Sequence, residues 1–142
     1  MILIDANLLL YAYDLTSEQH ERAKTWLEAT LNEGQPVRLA WATILAFLRI
    51  GTNPRALAVP LSIREATRIV AEWLALPNVA SLEPGERHFE ILVRLLESAQ
   101  ARGPLVMDAH LAALAIEHGA TLCTTDRDFT RFGQLRVSNP LA

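Results

Sequence analysis

The chain opens MILIDANLLLYAY (Met1 to Tyr13): three apolar residues, an aspartate, then a stretch able to form a helix. A short unbroken apolar run of this kind has the character of a strand buried on both faces, as in the middle of a parallel sheet. Asp5 stands where that strand ends. A carboxylate beside a buried strand must be hydrogen-bonded, paired or bound to a cation. In an open parallel sheet the carboxyl ends of the strands form the rim where ligands bind, so Asp5 marks that rim and a candidate site together.

Working outward, strands and helices alternate. Residues 7–13 can form a short helix and 17–32 a longer one, with Ala23, Trp26, Leu27 and Leu31 at helical spacing and Gly34 beyond it. Residues 37–40 (VRLA) form a strand running into a helix over 41–50, which GTNP at 51–54 stops. Ser62 and Glu65 form a capping-box pattern for a helix to 76. A strand over 79–82 precedes a long helix over 84–101, closed by Gly103 and Pro104. A helix from Asp108 to His118, capped by Gly119, leads to strands at 121–124 and 135–137. Strands separated by helices predict an α/β sandwich with a mainly parallel sheet, and no repeat or low-complexity segment interrupts it.

The length of 142 residues suits one domain, 1–142, with one core and one site. Hydrophobic residues make up 51% and charged residues 20%, a globular composition far from disordered or fibrous chains. No apolar stretch is long enough to span a bilayer, and no export signal pattern opens the chain, so the expectation is a cytoplasmic protein with no membrane partner. One cysteine, Cys123, allows neither an internal disulfide nor a zinc knuckle and reads as a small buried hydrophobe. The net charge of -3 argues against non-specific coating of nucleic acid but leaves room for an enzyme that meets RNA through a local patch.

Four of the five aspartates fall at strand ends or helix starts: Asp5 after the first strand, Asp108 opening DAHLAALA, and Asp126 and Asp128 after TLCT. Asp108 or Asp126 alone is explained equally by helix capping. Three segments that bring acids to one rim are another matter, because gathered carboxylates raise one another's pKa unless a cation sits among them. Oxygen-rich, sulfur-poor sites suit Mg²⁺ or Mn²⁺.

Four blocks in order carry a resemblance: IDANLLLYA at 4–12, FLRIGTNPR at 47–55, DAHLAALA at 108–115 and TTDRDF at 124–129. Together they resemble the PIN-domain family and, within it, the VapC toxins of bacterial toxin–antitoxin pairs. The resemblance implies a PIN-like three-layer α/β sandwich and an Mg²⁺- or Mn²⁺-dependent endoribonuclease. Asp5, Asp108 and Asp126 match the family's catalytic and metal-binding acids. Asp128 matches a peripheral acidic position, and Asn7 and Thr124 are polar neighbours able to orient a ligand or water. Local backbone hydrogen bonding is the other reading of Thr124.

The family pattern has a further acid, usually glutamate, just before the Phe of the FLR block, where this chain has Ala46. No Asp or Glu occurs between Glu33 and Glu65, so nothing nearby substitutes for it. Three carboxylates still suffice for one ion, with a second less well held and activity attenuated. Products implied by the resemblance are a 3′-hydroxyl and a 5′-phosphate. The alternative is a catalytically silent PIN-like module that binds RNA or protein. A phosphatase or receiver domain using Asp5 as nucleophile would need a late lysine, and the chain's only lysine is Lys24.

His110 lies two residues from Asp108, an offset that turns it to another helix face, and reads as structural; His88 and His118 read as surface residues without a role. Arg49 and Arg55 flank the GTNP break and are candidates for RNA phosphate contacts, with surface packing as the other reading. The resemblance also implies a homodimer and a VapB-type antitoxin whose C-terminal segment lies across the acidic groove. Leu45, Phe47 and Leu48 are open between core and dimer contact.

Overall fold

The computed structural model describes residues 1–142. Five strands form one sheet: β1 (Ile2–Ile4), β2 (Val37–Ala40), β3 (Val79–Leu82), β4 (Thr121–Cys123) and β5 (Val137–Ser138). Their order is β3-β2-β1-β4-β5 and every neighbouring pair is parallel. Six helices cover the sheet: α1 (Ala6–Tyr13), α2 (His20–Asn32), α3 (Trp41–Gly51), α4 (Ile63–Ala75), α5 (His88–Ser98) and α6 (Leu105–His118). The result is the expected α/β sandwich, with the sheet parallel throughout.

The strands read as unbroken apolar runs because successive side chains enter two different cores. Leu3 and Leu122 face the core built by α5 and α6, while the next residues, Ile4 and Cys123, face the core built by α1 to α4. Phe47, fully buried, packs in the second of these against Tyr13 and Trp73, its ring centroid 4.8 Å from that of Trp73. The order of the strands reverses between β1 and β4, and the crevice beyond their carboxyl ends is where such sheets bind ligands.

The capping box of α4 forms as read. The Glu65 N–H donates to Ser62 Oγ at 3.0 Å and the Ser62 N–H to Glu65 Oε1 at 3.2 Å. Ser62→Ala removes one of these bonds and is expected to cost about 1 kcal/mol in urea unfolding. An unchanged unfolding midpoint would deny the cap any energetic role.

Several boundaries differ from the sequence reading. The helix expected over 84–101 is only His88–Ser98. Glu117, on α6, accepts the Gly85 N–H at 2.8 Å and the Arg87 N–H at 3.0 Å, which holds residues 85–87 outside the helix. A β-carbon at Gly85 would meet Glu117 Oε2 at 2.5 Å, so only glycine permits the approach. At the other end Gln100 turns left-handed, φ 49°, and the Ala101 N–H donates to Leu96 O at 2.9 Å, closing the helix before Gly103. The helix expected from 108 begins at Leu105, because Pro104 already has helical φ, -59°. The helix read from 17 starts at His20, and the last strand is 137–138 rather than 135–137. A 3-10 turn at Arg127–Arg131, capped by Asp126, was not anticipated.

Candidate metal centre at the sheet edge

Asp5 leaves β1 as the N-cap of α1. The Ala6 N–H donates to its Oδ1 at 2.8 Å, and the Thr124 hydroxyl donates to its Oδ2 at 2.7 Å. Thr124, 1% exposed at the end of β4, also accepts the Asp126 N–H at 3.0 Å. One hydroxyl therefore ties the ends of the two strands that flank the switch point. Both readings of Thr124, local backbone bonding and support of a site residue, describe the same oxygen.

Asp126 in turn accepts the Asp128 N–H at 2.9 Å, and this Asx turn aims Asp128 back toward the crevice. Asp108 sits in the first turn of α6, not at its N-cap, and no capping bond reaches its side chain, so the capping explanation fails for Asp108. For Asp126 it accounts for one oxygen of two. Carboxylate oxygens of Asp108, Asp126 and Asp128 lie within 4.8 Å of one another. The tightest convergence thus includes Asp128, which the sequence reading left at the periphery, while Asp5 stands behind it with both oxygens engaged.

Electrostatics reflect the crowding. Burial pushes the Asp108 carboxyl up to about 6, with the charges of Asp126, Asp5 and Asp128 acting the same way. Burial also raises Asp5, against the lowering effect of its bonds from Thr124 and Ala6. An all-oxygen donor set with mutually repelling charges fits a hard divalent cation such as Mg²⁺ or Mn²⁺ and does not fit a sulfur-seeking metal. Cys123 is buried in the core, its thiol pushed up to about 11.

A stability consequence follows. Asp108 holds its proton to about 6 in the folded chain against an ordinary 3.8. Between those values the folded state binds more protons than the unfolded one, so the metal-free protein loses stability as pH rises through this window. A cation offsets the repulsion only where the acids are ionised. The Tm gain on adding Mn²⁺ is therefore expected to be small at about pH 5 and clearly larger at about pH 7.5. Equal gains at both would show that the ion binds elsewhere.

A cleft of about 360 Å³ opens beside these acids, shared by Asp5 and Asp108, by Ala46 and Arg49 of α3, and by Met107 and Leu111 of α6. Ala46, at the place of the absent acid, thus borders the same cleft as two of the aspartates. A larger depression of about 550 Å³ around Pro36, Arg38 and Asn78 lies at the amino ends of β2 and β3 and is lined by no acid. Arg49 lines the acidic cleft; Arg55 is exposed in the turn after α3 and does not. Asn7 is half-buried in the first turn of α1.

His110 Nδ1 lies 3.0 Å from His88 Nε2, and burial together with His88 lowers the His110 pKa, in keeping with a structural residue. His88 is a correction: it is 8% exposed rather than on the surface, because α5 lays it against α6. His118 Nε2 bonds to Glu83 O at 2.8 Å. Of the three residues open between core and contact, Phe47 is core, Leu48 half-buried and Leu45 exposed.

Fold and site together define a doubly wound α/β protein with a carboxylate centre at its switch point. The chain belongs to the PIN-domain family, whose profile matches residues 2–135. It is 42% identical to ribonuclease VapC37 of Mycobacterium tuberculosis over 142 residues, covering 100% of this chain and 99% of that one. To ribonuclease VapC33 of the same organism it is 41% identical, over 99% of each chain. Among solved structures, a VapBC2 complex from Rickettsia felis bound to a promoter DNA fragment superimposes with TM-score 0.69 at 19% identity, over 98% of both chains. VapC20 of Mycobacterium tuberculosis, described as a sarcin–ricin loop cleaving toxin, does so with TM-score 0.64 at 16% identity, over 96% of this chain and 99% of that one. No helix is long and apolar enough to cross a membrane.

Proposed function

We propose that this chain is a VapC-type endoribonuclease, a single PIN domain over residues 1–142, that hydrolyses RNA phosphodiesters with a divalent metal ion. The observation that carries the reading is the convergence of Asp108, Asp126 and Asp128 within 4.8 Å at the switch point. The full-length relatives named as VapC ribonucleases support it. Asp5, Asp108 and Asp126 are the residues assigned to hold Mg²⁺ or Mn²⁺, with Asp128 beside them. When bound, such an ion supplies a water of lowered pKa and positive charge for the phosphoryl oxygens.

The protein groups have separate tasks. Asp108 and Asp126 approach from different elements and clamp one position in the crevice. Thr124 holds Asp5 in its rotamer and keeps it ionised by donating to Oδ2. Arg49, on the rim of the same cleft, neutralises a neighbouring phosphate. No side chain of the centre is an activated nucleophile, so attack by water is direct and no covalent enzyme intermediate forms.

The test incubates the purified chain with total cellular RNA and Mn²⁺, with EDTA and Asp5→Asn controls. Cleavage that yields 5′-phosphate ends and disappears in both controls is the expected result. A 2′,3′-cyclic phosphate would require metal-independent chemistry and refute the scheme. Cleavage by Ala46→Glu alone would favour the second reading, a PIN-like binding module silenced at Ala46.

The partners follow from the same rim. A VapB-type antitoxin is the inhibitor, an inserted arginine or lysine being the natural ligand of an acidic crevice. Support comes from neighbours solved as VapBC complexes. A homodimer is the assembly proposed, and the cytoplasm, where RNA and antitoxin meet, the location.

A further inference from the structure

Helix α3 exposes three residues, Trp41, Leu45 and Arg49, and they recur every fourth position on one stripe. A solvated helix face ordinarily carries several charged or polar groups. Here it carries an aromatic ring 47% exposed, a leucine 59% exposed, and a single cation. Across the acidic cleft, α6 presents Met107, 57% exposed. Between these walls Ala46 contributes only a methyl group, which leaves the space of about 360 Å³ open.

We propose that this part of the cleft is a nucleobase subsite: it receives the unstacked base next to the scissile phosphate, between Leu45 and Met107 over Ala46. Trp41 stacks the following base, and Arg49 pairs with the intervening phosphate. The proposal rests on the nuclease reading above and specifies how that site takes its substrate. Three observations favour RNA as the occupant. The apolar walls are continuous with Asp5 and Asp108, which line the same cleft, so a phosphate held there by a cation delivers its own base to them. Aromatic and apolar side chains interleaved with arginine form the surface on which single strands are bound. Finally, Arg49 complements phosphate, whereas nothing on the stripe complements a basic segment.

Ala46 thereby gains a positive role. A side chain longer than methyl at this position would occupy the space the base requires.

The experiment follows methyl resonances of Leu45, Ala46 and Met107 in the full chain with Mg²⁺ during titration with an oligouridylate, and in parallel with an abasic ribose–phosphate chain of equal length. Ring-current shifts at Met107 and Leu45 with the base-bearing chain only are expected. Ala46→Leu should weaken oligouridylate binding at least about five-fold, towards that of the abasic chain. Equal shifts and affinities for both chains, or shifts confined to Arg49, would overturn the subsite. So would concentration-dependent broadening of the stripe without RNA that Leu45→Glu abolishes, since a second copy then covers it. Ring-current shifts in a protein that cleaves no RNA would leave the subsite standing and refute the nuclease reading alone.

Discussion

Asp108→Asn is expected to lower RNA cleavage at least about 100-fold and, in the same protein, to raise the stability of the metal-free form. The two effects have one origin. Asp108 enters the crevice from α6 with no capping bond, facing Asp126, Asp5 and Asp128, whose charges join burial in holding its pKa at about 6. Asparagine keeps the shape and removes the charge. The cation loses a ligand, and the remaining carboxylates lose a repulsive neighbour. After discounting for the partial exposure of Asp108, the stability gain above neutral pH is about 1 kcal/mol, roughly 3 °C in Tm. Calorimetry without metal and a cleavage time course with Mn²⁺ measure the two arms. Cleavage retained within ten-fold would remove Asp108 from the centre. A lower metal-free Tm would mean the carboxylate makes a stabilising contact instead.

A site that trades stability for charge is also one a sequence partly discloses. Asp5 was legible because a carboxylate at the end of a buried strand has few explanations, and Asp126 because it follows β4 across the switch point. Their connection was not legible: the Thr124 hydroxyl joins residues 119 positions apart. Asp128 was misjudged for a local reason, since the 3-10 turn that brings it round depends on Asp126 accepting its N–H. The same division holds in the fold. Ser62 with Glu65 and Gly119 with its left-handed φ of 68° are local signals and ended their helices where expected. The start of α5 is fixed by Glu117, which takes the N–H groups of Gly85 and Arg87 from 30 residues away or more, and no local pattern at 84–88 encodes that. The burial of His88 follows from the same docking of α5 on α6.

Ala46→Glu is expected to raise Mn²⁺ affinity about 10- to 100-fold and to destabilise the metal-free protein. Ala46 is half-buried on α3 and lines the cleft shared with Asp5 and Asp108. No other acid lies between Glu33 and Glu65, so the α3 side of the crevice carries no negative charge and Arg49 alone carries a positive one. A glutamate there brings a carboxylate to the bare side of the ion. Without metal it joins a group whose members already repel, so the proton affinity of Asp108 should rise further and Tm at neutral pH should fall. Isothermal titration with Mn²⁺ at neutral pH measures the gain. An unchanged affinity would mean that the aspartates saturate the ion and that Ala46 costs the centre nothing. A gain in affinity need not bring a parallel gain in cleavage. The glutamate side chain would stand where the nucleobase is proposed to lie, so tighter metal binding with weaker oligouridylate binding is the combined signature of a position that holds either the acid or the base.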